Sequence, residues 1–174
     1  RPDTWRAGTS HGSAPATRAA WTARPALAYT LPMLSIFCAP ARYTQGPDAT
    51  ASLGQEMAAL GLAGPVLVLA GRSAIDQLSK VWSKTFEDAG YPYEVMRFGG
   101  ECSAAEITRV TEVARRRPAR TIVGAGGGKV LDTARAVAAD LSLPVVNCPT
   151  TASSDAPCSA LSIVYTPDGV FEAA

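Results

Sequence analysis

Two stretches of this sequence are suited to holding a ligand. The first is GAGGGK, residues 124–129, where three consecutive glycines end an apolar run and open a segment with helical spacing. Glycines at such a junction admit positive φ and let a ligand approach the backbone with no Cβ in the way. The unpaired N–H groups and the dipole of the following helix suit a phosphate, and Lys129 places a cation there. The second stretch is CPTTASSDAPCSA, residues 148–160, which sets Thr150, Thr151, Ser153, Ser154 and Asp155 between Pro149 and Pro157. Hydroxyls bond a pyrophosphate or a ribose, and a carboxylate holds a polyol or tunes a proton relay.

Neither common phosphate-loop signature fits. A Walker A loop needs four residues between its first glycine and the Gly-Lys pair, followed by Ser or Thr. Here three residues separate Gly124 from Gly128, and Val130 follows the lysine. The Rossmann fingerprint needs glycine where Lys129 stands and belongs to the first strand–helix turn, whereas this is the third. The plain alternative is that the glycines serve only close packing of a strand against a helix.

The elements that must position these loops follow from periodicity. GPVLVLAG (residues 64–71) is a Val- and Leu-rich run bounded by glycines and predicts a buried strand. In the next segment Ile75, Leu78, Val81, Trp82 and Phe86 fall at helical spacing, with Ser73 as a candidate N-cap and Gly90 as the stop. YEVMRF (93–98) predicts a second strand. The helix after it carries Ser103 and Glu106 in capping-box register and ends on Arg115, Arg116 and Arg117. RTIVGAG, GKVLDTARAVAADL and LPVVNCPT supply a third strand, a third helix and a fourth strand, the last expected beside the third. LSIVYTPDGVFEA predicts a terminal β-hairpin around Pro-Asp-Gly. Strand–helix alternation predicts an α/β fold, a parallel sheet with helices on both faces.

With 47% apolar residues, 18% charged residues and a net charge of +1, the chain has no basic stripe for nucleic acid. The Arg115–Arg117 triplet is too short for one and suits a helix C-terminus. No apolar run reaches the ~18 residues of a membrane span. Cys38, Cys102, Cys148 and Cys158 form no CxxC pair, and the sole histidine is His11, so no zinc site is expected. Free thiols in a reducing, cytoplasmic setting are expected; a secreted disulfide pair is the alternative. Residues 1–32 are rich in Arg, Ala, Thr and Pro with one acidic residue. They suit a targeting segment, with residues 26–39 resembling a short signal-peptide run, or a disordered leader or upstream sequence ahead of a start at Met33. The leader reading is preferred, leaving residues 33–174 as the folded domain.

From Met33 onward the sequence resembles the glycerol dehydrogenases of the iron-containing alcohol dehydrogenase and dehydroquinate synthase-like superfamily. The resemblance lies in FCAPARYTQGPDA (37–49), FGGECS (98–103), GGGKVLDTARAVA and, most of all, PTTASSDAPCSALSIVYTPDGVFE (149–172). It implies the Rossmann-like N-terminal domain of that fold, NAD as cofactor and glycerol as substrate. By that resemblance Gly127, Gly128 and Lys129 lie along the NAD pyrophosphate with Asp132 close behind. Thr150 and Ser153 contact the cofactor, Ser159, Leu161 and Tyr165 line its nicotinamide side, and Asp155 hydrogen-bonds the substrate.

Two departures qualify the resemblance. The family often has an acidic residue for the ribose hydroxyls just after the first strand, where this chain has Gly71 and Arg72; an arginine there favours a 2′-phosphate. The family's divalent metal, usually zinc, is held by an aspartate and two histidines of a following helical domain, and the chain ends at Ala174. These residues are therefore expected to hold no metal site, to be inactive alone, and to expose Leu161 and Val164 and associate. The full-length family implies a homo-oligomer. A glycerol-1-phosphate dehydrogenase or dehydroquinate synthase relative is the nearest alternative, as is an inert nucleotide-binding fragment.

Overall fold

The computed structural model describes residues 40–174. The expectations for residues 1–32, Met33, Cys38, His11 and the start of the 37–49 stretch lie outside them. Four strands form one parallel sheet in the order β2-β1-β3-β4: β1 (Val66–Ala70), β2 (Tyr93–Arg97), β3 (Thr121–Gly126) and β4 (Val145–Pro149). Between them run α2 (Arg72–Asp88), α3 (Ala104–Arg116) and α4 (Gly128–Leu141). A short helix α1 (Leu53–Ala59) precedes β1, and β5 (Val164–Tyr165) pairs antiparallel with β6 (Phe171–Ala173).

The two-residue period of the central strands sorts the core into two layers. Val66, Val68, Ala70, Val123 and Ala125 face α1 and α2, packing on Met57, Trp82 and Phe86. Leu67, Leu69 and Ile122 face the other way, onto Val110 and Ala114 of α3 and Val130, Ala134 and Val137 of α4. β1 and β3 are buried along their whole length while β2 and β4, at the sheet edges, are half-buried. Helix α1 went unrecognised in the sequence, because its apolar signal is little more than Leu53 and Met57. The expected cap of α2 also moves: Gly71 is the N-cap and Ser73 lies in the first turn without a capping bond. Gly90, in left-handed conformation at φ 72°, ends that helix as expected.

The connections place the ligand face. The chain passes from β1 outward to β2, crosses back over β1 to β3, and continues to β4. Loops therefore leave the carboxyl ends of β1 and β3 in opposite directions, which opens a crevice between them. The loop ends are bonded there: Gly71 N–H donates to Ala125 O at 3.1 Å, Phe98 N–H to Ala70 O at 2.8 Å and Thr150 N–H to Gly126 O at 3.0 Å.

Half of the expected capping box forms at α3. Ser103 Oγ accepts the Glu106 N–H, but the Glu106 side chain turns elsewhere. Its carboxylate accepts the Gly99 N–H at 2.7 Å and two Arg109 guanidinium bonds, fixing the β2–α3 turn. Burial alone would push this carboxyl up, yet Arg109 and the Gly99 N–H outweigh it and hold it below its usual range. The fold thus favours the ionised form: its contribution is full above the ordinary carboxylate pKa and is lost as pH falls through the lowered value.

Of the described cysteines, Cys102 is buried, Cys148 half-buried and Cys158 exposed, and all three are free thiols. Burial pushes the Cys148 thiol up to about 12 and also raises Cys102. Alkylation at about pH 8 followed by peptide mapping should therefore label Cys158 and spare Cys102 and Cys148. Equal labelling of Cys148 would contradict the packing of β4 against the sheet core.

Candidate functional site

The glycines of residues 124–128 divide into two kinds, and none uses the positive φ that glycine admits. A Cβ on Gly124 would lie 2.7 Å from Ala134 Cβ, and one on Gly126 would lie 2.7 Å from Val130 Cγ2. These two let α4 pack closely on β3, which is the plain reading of the glycines. Gly127 is different. A Cβ there would meet nothing within 4 Å, and the residue is the N-cap of α4 with no side-chain cap. Its carbonyl accepts the Val130 and Leu131 N–H groups. The N–H groups before them, at the helix start, have no intrahelical acceptor. Close packing thus brings α4 to the sheet, and Gly127 leaves its N-terminus bare on the crevice.

Lys129 stands beside that terminus, and it is not a free cation. Its Nζ donates to Glu101 Oε2 at 2.5 Å and lies 5.6 Å from the Tyr165 ring centroid. The Glu101 hydrogen bond raises the lysine pKa, so the ammonium stays charged through the neutral range. Glu101 Oε1 in turn accepts the Cys102 N–H at 2.9 Å. Tyr165 N–H donates to Cys102 O at 2.7 Å, tying the β5–β6 hairpin to the same turn. Glu101 was not singled out in the sequence; a carboxylate in the loop after β2, one strand removed from β3, was the available signal.

The second loop crosses over the same helix. A Cβ on Gly128 would lie 3.5 Å from Ser154 Oγ and 3.6 Å from Ala156 Cβ. Residues 151–155 are exposed, including Ser153 and the Asp155 carboxylate, while Ala156 is buried beneath them. Asp155 O accepts the Cys158 and Ser159 N–H groups at 2.8 and 2.9 Å, and Ser159 Oγ accepts the Leu161 N–H at 3.1 Å. Leu161 is 60% exposed, as expected, but Val164 is half-buried in β5; the other exposed apolar side chains nearby are Val170 and Phe171 of the hairpin.

Asp132 is buried and already engaged. Its carboxylate accepts Arg135 Nη1 at 2.8 Å, so it is not free to meet a ligand as it stands. Sequence reasoning passed over Arg135, although a charged pair three residues apart on an otherwise apolar helix face is a readable signal.

Two clefts lie along the β2 side of the sheet. One of about 350 Å³ is lined by Arg72, Ile75, Asp76 and Arg97, at the carboxyl ends of β1 and β2. The other, about 530 Å³, lies against β2 and the end of α3, lined by residues including Glu94, Val113 and Arg117. The larger cleft is not at the glycine loop, and its Glu94–Arg117 ion pair closes on itself. Among the described residues no three His, Cys, Asp or Glu side chains group so as to hold a metal ion, and no helix is long and apolar enough to cross a membrane.

Comparison with known proteins matches residues 40–172 to the iron-containing alcohol dehydrogenase family. Glycerol dehydrogenase of Escherichia coli O6:H1 is 42% identical over 137 residues, covering 79% of this chain and 37% of that relative. Glycolaldehyde reductase of Halobacterium salinarum is 38% identical, covering 80% and 38%. The crystal structure of a probable glycerol dehydrogenase from Sinorhizobium meliloti 1021 superposes with a TM-score of 0.72 at 37% identity, over 80% of this chain and 37% of that one. The chain spans well under half the length of the relatives it matches.

Proposed function

The chain belongs to the iron-containing alcohol dehydrogenase family, and from that premise we propose that it carries the nucleotide-binding part of an NAD-dependent oxidation of glycerol to dihydroxyacetone, or of a related small polyol. One observation carries the reading: the open N-terminus of α4 at Gly127, with Lys129 beside it and the hydroxyl-rich loop across it at Gly128. Bare N–H groups, a helix dipole and an ammonium are what a pyrophosphate requires. When bound, the nicotinamide accepts the hydride of the alcohol carbon.

The chain's own residues bind and orient. Gly127 and Gly128 give the pyrophosphate their N–H groups, and Lys129 donates protons not taken by Glu101. Thr150 and Ser153 bond the cofactor from the overlying loop. Ser159, Leu161 and Tyr165 border the nicotinamide side, Leu161 excluding water and Tyr165 holding its ring against the Lys129 ammonium. Asp155 accepts from a substrate hydroxyl. Asp132 acts from behind, through its ion pair. The divalent metal of the family, with zinc as the proposed ion, has no fitting ligand group among the described residues, and no step is routed through it. A cytoplasmic homo-oligomer is part of the same proposal.

The cofactor's 2′ position is a separate question. Gly71 and Arg72 stand where a ribose-binding carboxylate would discriminate against NADP, and Arg97 borders the same cleft. A phosphorylated substrate, as in the glycerol-1-phosphate alternative, is less favoured, because residues 148–160 hold no Lys or Arg.

Fluorescence titration with NADH and NADPH tests the reading. Lys129→Ala should weaken NADH binding roughly tenfold, since a charged hydrogen bond is lost and Glu101 is left as a bare anion beside the phosphates. Unchanged NADH affinity would remove Lys129 from the site. Tighter NADPH than NADH binding would assign the 2′-phosphate to the cleft that Arg72 and Arg97 line.

A further inference from the structure

The loop that carries Thr150, Ser153, Asp155 and Ser159 has no regular secondary structure, yet it is tied down at few points. Two of the ties come from a buried charge in α4. Arg135 is 8% exposed and Asp132 7% exposed. Arg135 Nη1 donates to Asp132 Oδ1 at 2.8 Å and also to Leu161 O, and Nη2 donates to Ala156 O. Ser162 Oγ donates to Asp132 O at 2.9 Å, and Asn147 Nδ2 donates to Pro157 O at 3.0 Å. The bonds fall on residues 156, 157, 161 and 162, and the exposed arc 151–155 lies just outside them.

We infer that Arg135, oriented by Asp132, is the positioning residue of this loop: its guanidinium grips the loop on both sides of Ser159 and fixes where Asp155 and Ser159 stand relative to the N-terminus of α4. The planar fork is what the position needs. One guanidinium reaches a carboxylate and two carbonyls that point at it from different places, which a lysine ammonium at the end of a flexible stem cannot hold together. Burial adds to the effect at Ala156, whose carbonyl bond to Arg135 is buried. The N-cap and first turn of α4 carry Gly127, Gly128 and Lys129 and the next turn carries Asp132 and Arg135, so one rigid helix sets the spacing between phosphate cradle and overlying loop. The inference deepens the nucleotide-site reading and rests on it only for what the loop contacts.

Amide hydrogen exchange on the whole chain, without nucleotide, tests it directly. The reporters are the Cys158 and Ser159 N–H groups, which bond Asp155 O and touch neither Arg135 nor Asp132. Arg135→Lys keeps the charge and should speed their exchange about tenfold or more, while amides of β1 and β3 keep their protection. Asp132→Asn, which keeps the guanidinium and both carbonyl bonds, should loosen them less. NADH affinity should fall in the same order. Protection that is unchanged at Cys158 and Ser159, or lost in equal proportion across β3, would overturn the proposal; so would unfolding of both variants. If wild-type chain binds no NADH but the exchange pattern holds, the nucleotide reading fails and the clamp stands.

Discussion

Gly127→Ser is expected to weaken NADH binding about tenfold to a hundredfold, roughly 1.4–3 kcal/mol, and to leave the fold as stable as before. The two halves of this result have separate causes. A Cβ at Gly127 meets nothing within 4 Å, and its backbone, φ −80° and ψ 179°, is one any residue adopts. Serine is moreover a better N-cap than alanine, and its hydroxyl satisfies an N–H at the helix start. That same hydroxyl takes the donor a phosphate needs and occupies the space through which it approaches. An unfolding free energy in urea unchanged to within about 0.5 kcal/mol, with weakened NADH binding, is the predicted pair of readings. A large loss of stability would mean that Gly127 is a packing glycine like its neighbours.

Gly124→Ala should have the opposite profile. The added methyl would lie 2.7 Å from Ala134 Cβ, and 3.5 Å from the Leu131 backbone, in the layer between β3 and α4. Both residues are buried, so neither can yield without moving the helix. Overpacking of this kind costs about 1–3 kcal/mol. Adding Ala134→Gly removes the clashing methyl, at a helix-propensity cost of about 1 kcal/mol. The double variant should therefore be no less stable than Gly124→Ala by more than a small margin, showing a favourable coupling between the sites. Additive losses in urea unfolding would place the strain of Gly124→Ala somewhere other than against Ala134.

The fold was legible where a run of residues reports on its own periodicity. Val66 to Ala70 and Thr121 to Gly126 are buried on both sides, and their uninterrupted apolar runs mark central parallel strands. The helix after β1 shows its core-facing stripe at Ile75, Leu78, Trp82 and Phe86. Helix α1 was not legible, since its seven residues offer a single i,i+4 pair of large apolar side chains, Leu53 and Met57. The candidate site was legible only as two loops. Whether a glycine serves packing or a ligand depends on what its missing Cβ would meet, and Gly124 and Gly127 look alike in sequence. Likewise Glu101 meets Lys129, and Arg135 meets Leu161 O, only because the sheet order brings their segments together. A composition-level cue existed for each, but no spacing rule links partners that distant in the chain.

In the proposed reading, the loops after β3 and β4 form one nucleotide site at the switch point of the sheet. Amide chemical-shift mapping of the chain during an NADH titration tests it most directly. Shifts should gather at Gly127, Gly128, Lys129 and Val130 and along residues 150–155, saturating together. Shifts confined to the larger cleft at Glu94, Val113 and Arg117, with the glycine loop unmoved, would contradict it.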